Sequence, residues 1–248
     1  MDAFEDANLV SFEDYMVQHL NEFAQRHSQI LGEDGVRQVI KLGVERAAAY
    51  GMTLRRSVRL YIELMFILGG SCDTDPQLPW IGEILGNQEF EDEKIRTDKL
   101  YAASVEYHDK VIGDDSKYAQ NAVRGIREHV ETVYLLPDEN FSDQILQYMQ
   151  KIYPQKYEHT DNDGIQLLIS QARQHAESFM ATSHRAIALF ATLMFGFGHG
   201  CHDDPLYPWI SGTLKNDKAI NDPNERVDRL FKKTKMYLDQ MLNYLETG

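Results

Sequence analysis

The string Gly198–Asp204 reads GHGCHDD and gathers His199, Cys201, His202, Asp203 and Asp204 within seven residues. Imidazole, thiolate and carboxylate in one short loop could hold zinc or another transition metal. Three features point to a structural role instead. An earlier string, Gly69–Asp75, reads GGSCDTD, with Gly70 in place of His199 and Asp73 in place of His202. Of the ligand types, only the cysteine and the last aspartate recur. Asp75 and Asp204 each precede a proline, the arrangement of a helix N-cap with Pro at N1. A structural zinc site also needs four protein ligands, and no second Cys/His cluster offers the remainder. No metal or other cofactor is expected, and Cys72 and Cys201 are expected to be small buried side chains.

Other candidates read the same way. Trp80 and Trp209 follow proline in LPWI and YPWI. A flat indole there could anchor a partner, but its expected role is to pack a short helix onto a central one. Arg56 and Arg185 fall in the first turn of expected helices, where a cation opposes the helix dipole. Each therefore needs a carboxylate, with Asp73, Asp75 and Asp204 as candidates. The chain has no G-x-S-x-G, no G-x-x-x-x-G-K-[ST] and no H-E-x-x-H. The glycine-rich FGFGHG follows a helix rather than a strand, and the nine histidines form no repeated constellation. No enzyme is expected.

These residues sit inside an internal repeat. LMFILGGSCDTDPQLPWIGEIL from Leu64 matches LMFGFGHGCHDDPLYPWISGTL from Leu193 at an offset of 129. Asp34-Gly35, Thr53 and Arg56 match Asp163-Gly164, Thr182 and Arg185; Phe12, Asp14 and Gln18 match Phe141, Asp143 and Gln147. Residues 12–87 and 141–216 share more than twenty identities over 76 positions, where chance gives roughly five. With one inserted position, Leu100, Tyr107 and Asp109 fall on Leu230, Tyr237 and Asp239. The expected organisation is a first helical unit (1–112), a bridging helix (113–140) and a second helical unit (141–248), packed with pseudo-two-fold symmetry.

Both copies read as helical. Val36, Val39, Ile40, Val44, Ala47 and Ala48 recur at the helical period, and Gly51 follows as a terminator. Ser11 is the expected cap of a first helix, with Asp14 in its first turn, and Thr53 and Thr182 the expected caps of central helices. Short helices begin at Pro79 and Pro208; long ones follow at about 91–112 and 223–246. The bridge carries Val123, Ile126, Val130 and Val133 as an apolar stripe. No alternating window competes as a strand. The fold class expected is all-α.

Of 248 residues, 43% are hydrophobic and 26% charged, and the formal net charge is −14. A polyanion is repelled by phosphate backbones and anionic headgroups, so nucleic acid and membrane surfaces are poor partners. No apolar run reaches the roughly 18 residues of a spanning helix. The acidic start MDAFEDANLVSFEDY has no signal-peptide features, and two cysteines fit a reducing compartment. The cytoplasm is the expected location.

The pattern Y-G-x-T, Arg, L-M-F-x-L-G, D-x-D-P-x-x-P-W resembles a poorly characterised bacterial family whose genes often lie beside those for type VI secretion spike proteins and their toxins. Tyr50, Gly51, Thr53, Arg56, Leu64 to Phe66, Leu68-Gly69, Asp73, Asp75-Pro76 and Pro79-Trp80 carry it. The second copy departs from it at Phe179, Met180, Ala181 and His202. The resemblance implies a role near a contact-dependent toxin, as immunity protein or loading adaptor, and supplies no catalytic residues. An immunity protein against a basic toxin is the expected function. The alternatives are an effector adaptor or chaperone, and a metalloprotein or enzyme using the His199–Asp204 loop. The expected contact residues are acidic or lie where the copies differ: Glu89, Glu91, Asp92, Glu93, Asp114, Asp115, His199, His202 and Asp203.

Overall fold

Apolar residues at helical spacing become helices from end to end, and no strand occurs among the described residues. The computed structural model describes the backbone of residues 3–134, 140–215 and 222–247, and the side chains of 11–132, 140–215 and 222–245. The end of the expected bridge (135–139), the side chain of Val133, and residues 216–221 of the second unit lie outside those ranges.

The first half holds α1 (Ala3–Phe23), α2 (Gln25–Ala49), α3 (Arg55–Leu68), α4 (Pro79–Gly86) and α5 (Glu93–Tyr107), which runs into a π-turn at His108–Ile112. Gly32, at φ +68°, interrupts α2. The bridge is α6 (Lys117–Tyr134). The second half holds α7 (Phe141–Ile152), α8 (Pro154–His159), α9 (Asn162–Ser178), α10 (His184–Phe197), α11 (Pro208–Lys215) and α12 (Pro223–Thr247). At the sequence offset of 129, α3 and α4 coincide in both bounds with α10 and α11.

One apolar core runs through both halves. Leu64, Met65 and Phe66 are as buried as Leu193, Met194 and Phe195, and α10 buries eleven of its fourteen residues. Each buried Leu, Ile, Phe or Met contributes roughly 1.5–3 kcal/mol by leaving water, and α6, α7, α9 and α12 pack around α10. Residue Gly51 takes φ +69° and ends α2, as its position suggested.

The expected caps differ. Helix α1 already begins at Ala3, so Ser11 and Asp14 lie inside it; Asp14 instead accepts from Arg37 of α2 at 2.8 Å. Leu54, not Thr53, precedes α3 and offers no side-chain cap. The carboxylate of Glu93, on α5, instead accepts from the backbone N–H of Thr53 (2.9 Å) and Leu54 (2.8 Å), the two residues that lead into the helix. In the second half Ser183, not Thr182, caps α10 by accepting from Ala186 N–H. A carboxylate forty residues from Thr53 thus holds the chain where it enters α3.

Candidate functional site

The loops singled out by their composition meet at the junction between the halves. Gly69 and Gly198 end α3 and α10 at φ +103° and +96°, a region that L side chains rarely adopt. A Cβ on Gly69 would lie 2.7 Å from the Phe197 carbonyl oxygen, and one on Gly198 would lie 3.0 Å from that of Leu68. The two helix ends therefore touch backbone to backbone.

Two carboxylates close the junction in opposite directions. Asp75 Oδ2 accepts from His199 N–H at 2.8 Å, and Asp204 Oδ2 accepts from Gly70 N–H at 2.6 Å. Each also folds its own loop: Asp75 Oδ1 accepts from Gln77 N–H and Asp204 Oδ1 from Leu206 N–H, both at 2.9 Å. They are not the N-caps of the short helices. Residue Leu78 precedes α4, whose N1 residue is Pro79, so each Asp-Pro pair builds the turn before its helix. Burial pushes the Asp204 carboxyl up, against the bonds from Leu206 and Gly70 and the nearby Arg46.

A buried lysine and a half-buried arginine answer these anions. Lys156 Nζ donates to the Phe195 carbonyl at 2.7 Å, and desolvation pulls its pKa down to about 8 while Asp75 opposes the shift. Arg46 donates to the Gly70 carbonyl (2.6 Å), to Asp73 Oδ1 (3.2 Å) and to Ser71 Oγ (3.2 Å), and Tyr50 OH donates to Asp73 at 3.0 Å.

At the offset of 129 the charged trio Arg46, Asp73 and Tyr50 becomes His175, His202 and Phe179. An ion pair is thereby replaced by two close, mutually tilted imidazoles, 3.8 Å between centroids and 37° between planes, with Phe179 edge-on to His202. Burial, then repulsion from His175, holds His202 down at about 4; burial, then His199, lowers His175. Both rings are therefore neutral at physiological pH. They face Arg46 across a cleft of about 430 Å³. His199 spans the junction, with Nε2 at 3.1 Å from Thr74 Oγ1 and Nδ1 at 3.3 Å from Gln171 Oε1. Among the described residues, no three His, Cys, Asp or Glu side chains are placed to hold a metal ion. Cys72 and Cys201 are free and buried, and burial pushes both thiols up, away from nucleophilic character.

The other singled-out residues lie elsewhere. Trp80 packs against Tyr107 and Trp209 against Tyr237, at 5.9 and 5.1 Å between ring centroids. Both arginines have carboxylate partners, but not the loop aspartates: Arg56 pairs with Asp98 of α5, and Arg185 with Asp228 of α12 at 3.1 Å. Packing of α3 on α5 brings Asp98 to Arg56, while Asp75 and Asp204 face the opposite end of the helices. Among the acidic candidates, Asp92 caps α5 by accepting from Lys94 N–H, Glu93 serves α3, and Asp203 pairs with Lys215 at 2.6 Å. Glu89, Glu91, Asp114 and Asp115 are exposed, with no ion pair among the described residues.

Arg46, Lys156 and His175 belong to the junction and carry no motif that marks them. The usable signal was the offset of 129, at which Arg46 and Asp73 both fall on histidine. No family model matches the chain, and no curated protein or solved structure matches it.

Proposed function

We propose that the chain is a cytoplasmic, non-enzymatic protein-binding module that neutralises a cognate type VI secretion toxin. The carrying observation is a surface with carboxylates in excess: Glu89, Glu91, Asp114 and Asp115 stand exposed and unpaired among the described residues, on a chain of net charge −14. Such a surface steers a basic partner such as a nuclease. The resemblance of the LMFxLG and DxDPxxPW strings to proteins encoded beside secreted toxins supports the same reading.

The scaffold in this proposal is a tandem duplication, with units 1–112 and 141–248 joined by a bridge at 113–140 and packed with pseudo-two-fold symmetry. Its support is the exchange of Asp75 to His199 N–H and Asp204 to Gly70 N–H, four positions related pairwise by the same offset. A toxin is rarely symmetric, so contacts belong where the copies differ.

Calorimetric titration of the purified chain with a purified candidate type VI secretion toxin tests the reading. A complex is expected whose affinity falls as salt is raised, since exposed charges are screened over about 8–10 Å at physiological ionic strength. Asp114→Lys with Asp115→Lys should slow association more than it speeds dissociation. No binding, a salt-independent affinity, or binding lost only on replacing Trp80 and Trp209 would overturn it.

A further inference from the structure

Helix α6 covers a face of the second half whose counterpart in the first half is only half covered. The helix packs on α7, α10 and α12, burying Ala122, Ile126 and Val130. Its closest approach is marked by two glycines. A Cβ on Gly125 would lie 3.0 Å from the Ile152 carbonyl oxygen, and one on Gly196 would lie 3.0 Å from Ile126 Cδ1. One position further along, Arg127 grips both oxygens of Asp239.

In the first half, α1 and α3 meet in a ladder of contacts. Arg55 lies over the Phe12 ring, Arg59 donates to Tyr15 OH at 3.0 Å, and His19 hydrogen-bonds Glu63 at 2.6 Å. One turn beyond His19 and Glu63 come Phe23 and Ile67, the positions of Ile152 and Gly196 at the offset of 129. Ile152 is 3% exposed beneath α6; Phe23 is 43% and Ile67 46% exposed. The neighbouring α5 repeats the contrast at the offset of 130. Thr234 and Leu238 are buried, whereas Ser104 and His108 line an open groove of about 180 Å³ with Ile67 and Val105. Val105 is 42% exposed. Asp109 holds the position of Asp239, is exposed, and pairs with no lysine or arginine among the described residues; its neighbour at 3.6 Å is His108 Nδ1.

We propose that this face, formed by the ends of α1, α3 and α5, docks an amphipathic helix of a partner protein, seated as α6 is seated on the second half. Phe23, Ile67 and Val105 meet its apolar stripe. A small residue sits opposite Ile67, because a larger one would occupy the space that Gly196 leaves for Ile126. An arginine one position further pairs with Asp109, as Arg127 does with Asp239. The proposal rests on the protein-binding reading above and gives that partner its shape: an α-helix with a basic flank.

The test uses the full chain and a fluorescent 18-residue peptide of α6, Lys117–Tyr134, carrying Ile126→Ala to make room for Ile67. Anisotropy should report saturable binding, weakened about tenfold or more by Ile67→Asp in the protein or Arg127→Glu in the peptide, as expected for a central contact. Ile67 is half exposed, so Ile67→Asp should melt like the parent, which a thermal scan checks. No binding, binding indifferent to both changes, or sedimentation showing that this face joins two copies of the chain would each overturn the proposal. Growth rescue on co-expression with the toxin separates the two readings. Rescue retained by Ile67→Asp removes this face and leaves immunity standing, whereas no rescue by the parent removes immunity while peptide binding still supports the face.

Discussion

Asp75→Ala is expected to lower the free energy of unfolding by about 3 kcal/mol, and Asp204→Ala by a similar amount. An N-cap would be worth only about 1 kcal/mol. The difference lies in what each carboxylate holds. Losing Asp75 strips a partner from His199 N–H across the junction and from Gln77 N–H and Nε2 in its own loop. It also removes a carboxylate whose charge opposes the desolvation of the buried Lys156. Losing Asp204 does the same to Gly70 and Leu206 N–H. Buried donors without acceptors cost about 1–3 kcal/mol each, and relaxation or entering water recovers part of that. Both substitutions open one junction, so the double variant should depart from additivity by more than about 0.5 kcal/mol. Urea unfolding followed by circular dichroism reads all three values. Single losses near 1 kcal/mol with strict additivity would mean that the cross-junction bonds contribute little.

Gly69→Ala is the second large effect, about 3 kcal/mol or more. Its φ of +103° strains any L side chain, and the added methyl would meet the Phe197 carbonyl at 2.7 Å, a backbone atom that cannot swing aside. Gly198→Ala should follow, with its methyl 3.0 Å from the Leu68 carbonyl. Gly212→Ala is the control. It lies within α11 with nothing inside 4 Å of the new Cβ, so it should be neutral or slightly stabilising. Equal melting temperatures for Gly69→Ala and the parent would contradict the tight crossing of α3 and α10.

Helices were legible because their evidence is local and periodic: Val36 to Ala48 declare a buried stripe, and Pro79 and Pro208 declare two starts. Partners were not legible wherever they lie far along the chain. Thr53 looks like a cap by every neighbouring residue, yet α3 begins only after Leu54, and Glu93 binds the Thr53 and Leu54 N–H groups from α5. Arg56 needed a carboxylate and found Asp98, a residue that only the packing of α3 on α5 brings near. Asp75 and Asp204 were read correctly as acceptors of backbone N–H groups and wrongly as helix caps. A capping rule sees the next few residues, whereas His199 N–H stands 124 residues from Asp75. The open face of α1, α3 and α5 emerged only by comparing exposure between positions that the repeat pairs. Ile67 alone is an ordinary exposed apolar residue; Ile67 beside Gly196 under α6 is a difference between two halves of one molecule.

We propose that this acidic helical chain neutralises a toxin by binding it. Growth of cells co-expressing the chain with candidate type VI secretion toxins tests the proposal. The account predicts that the parent chain restores growth. A toxin that remains lethal inside the producing cell while its export is blocked by loss of the chain would contradict immunity and assign the chain to effector loading instead.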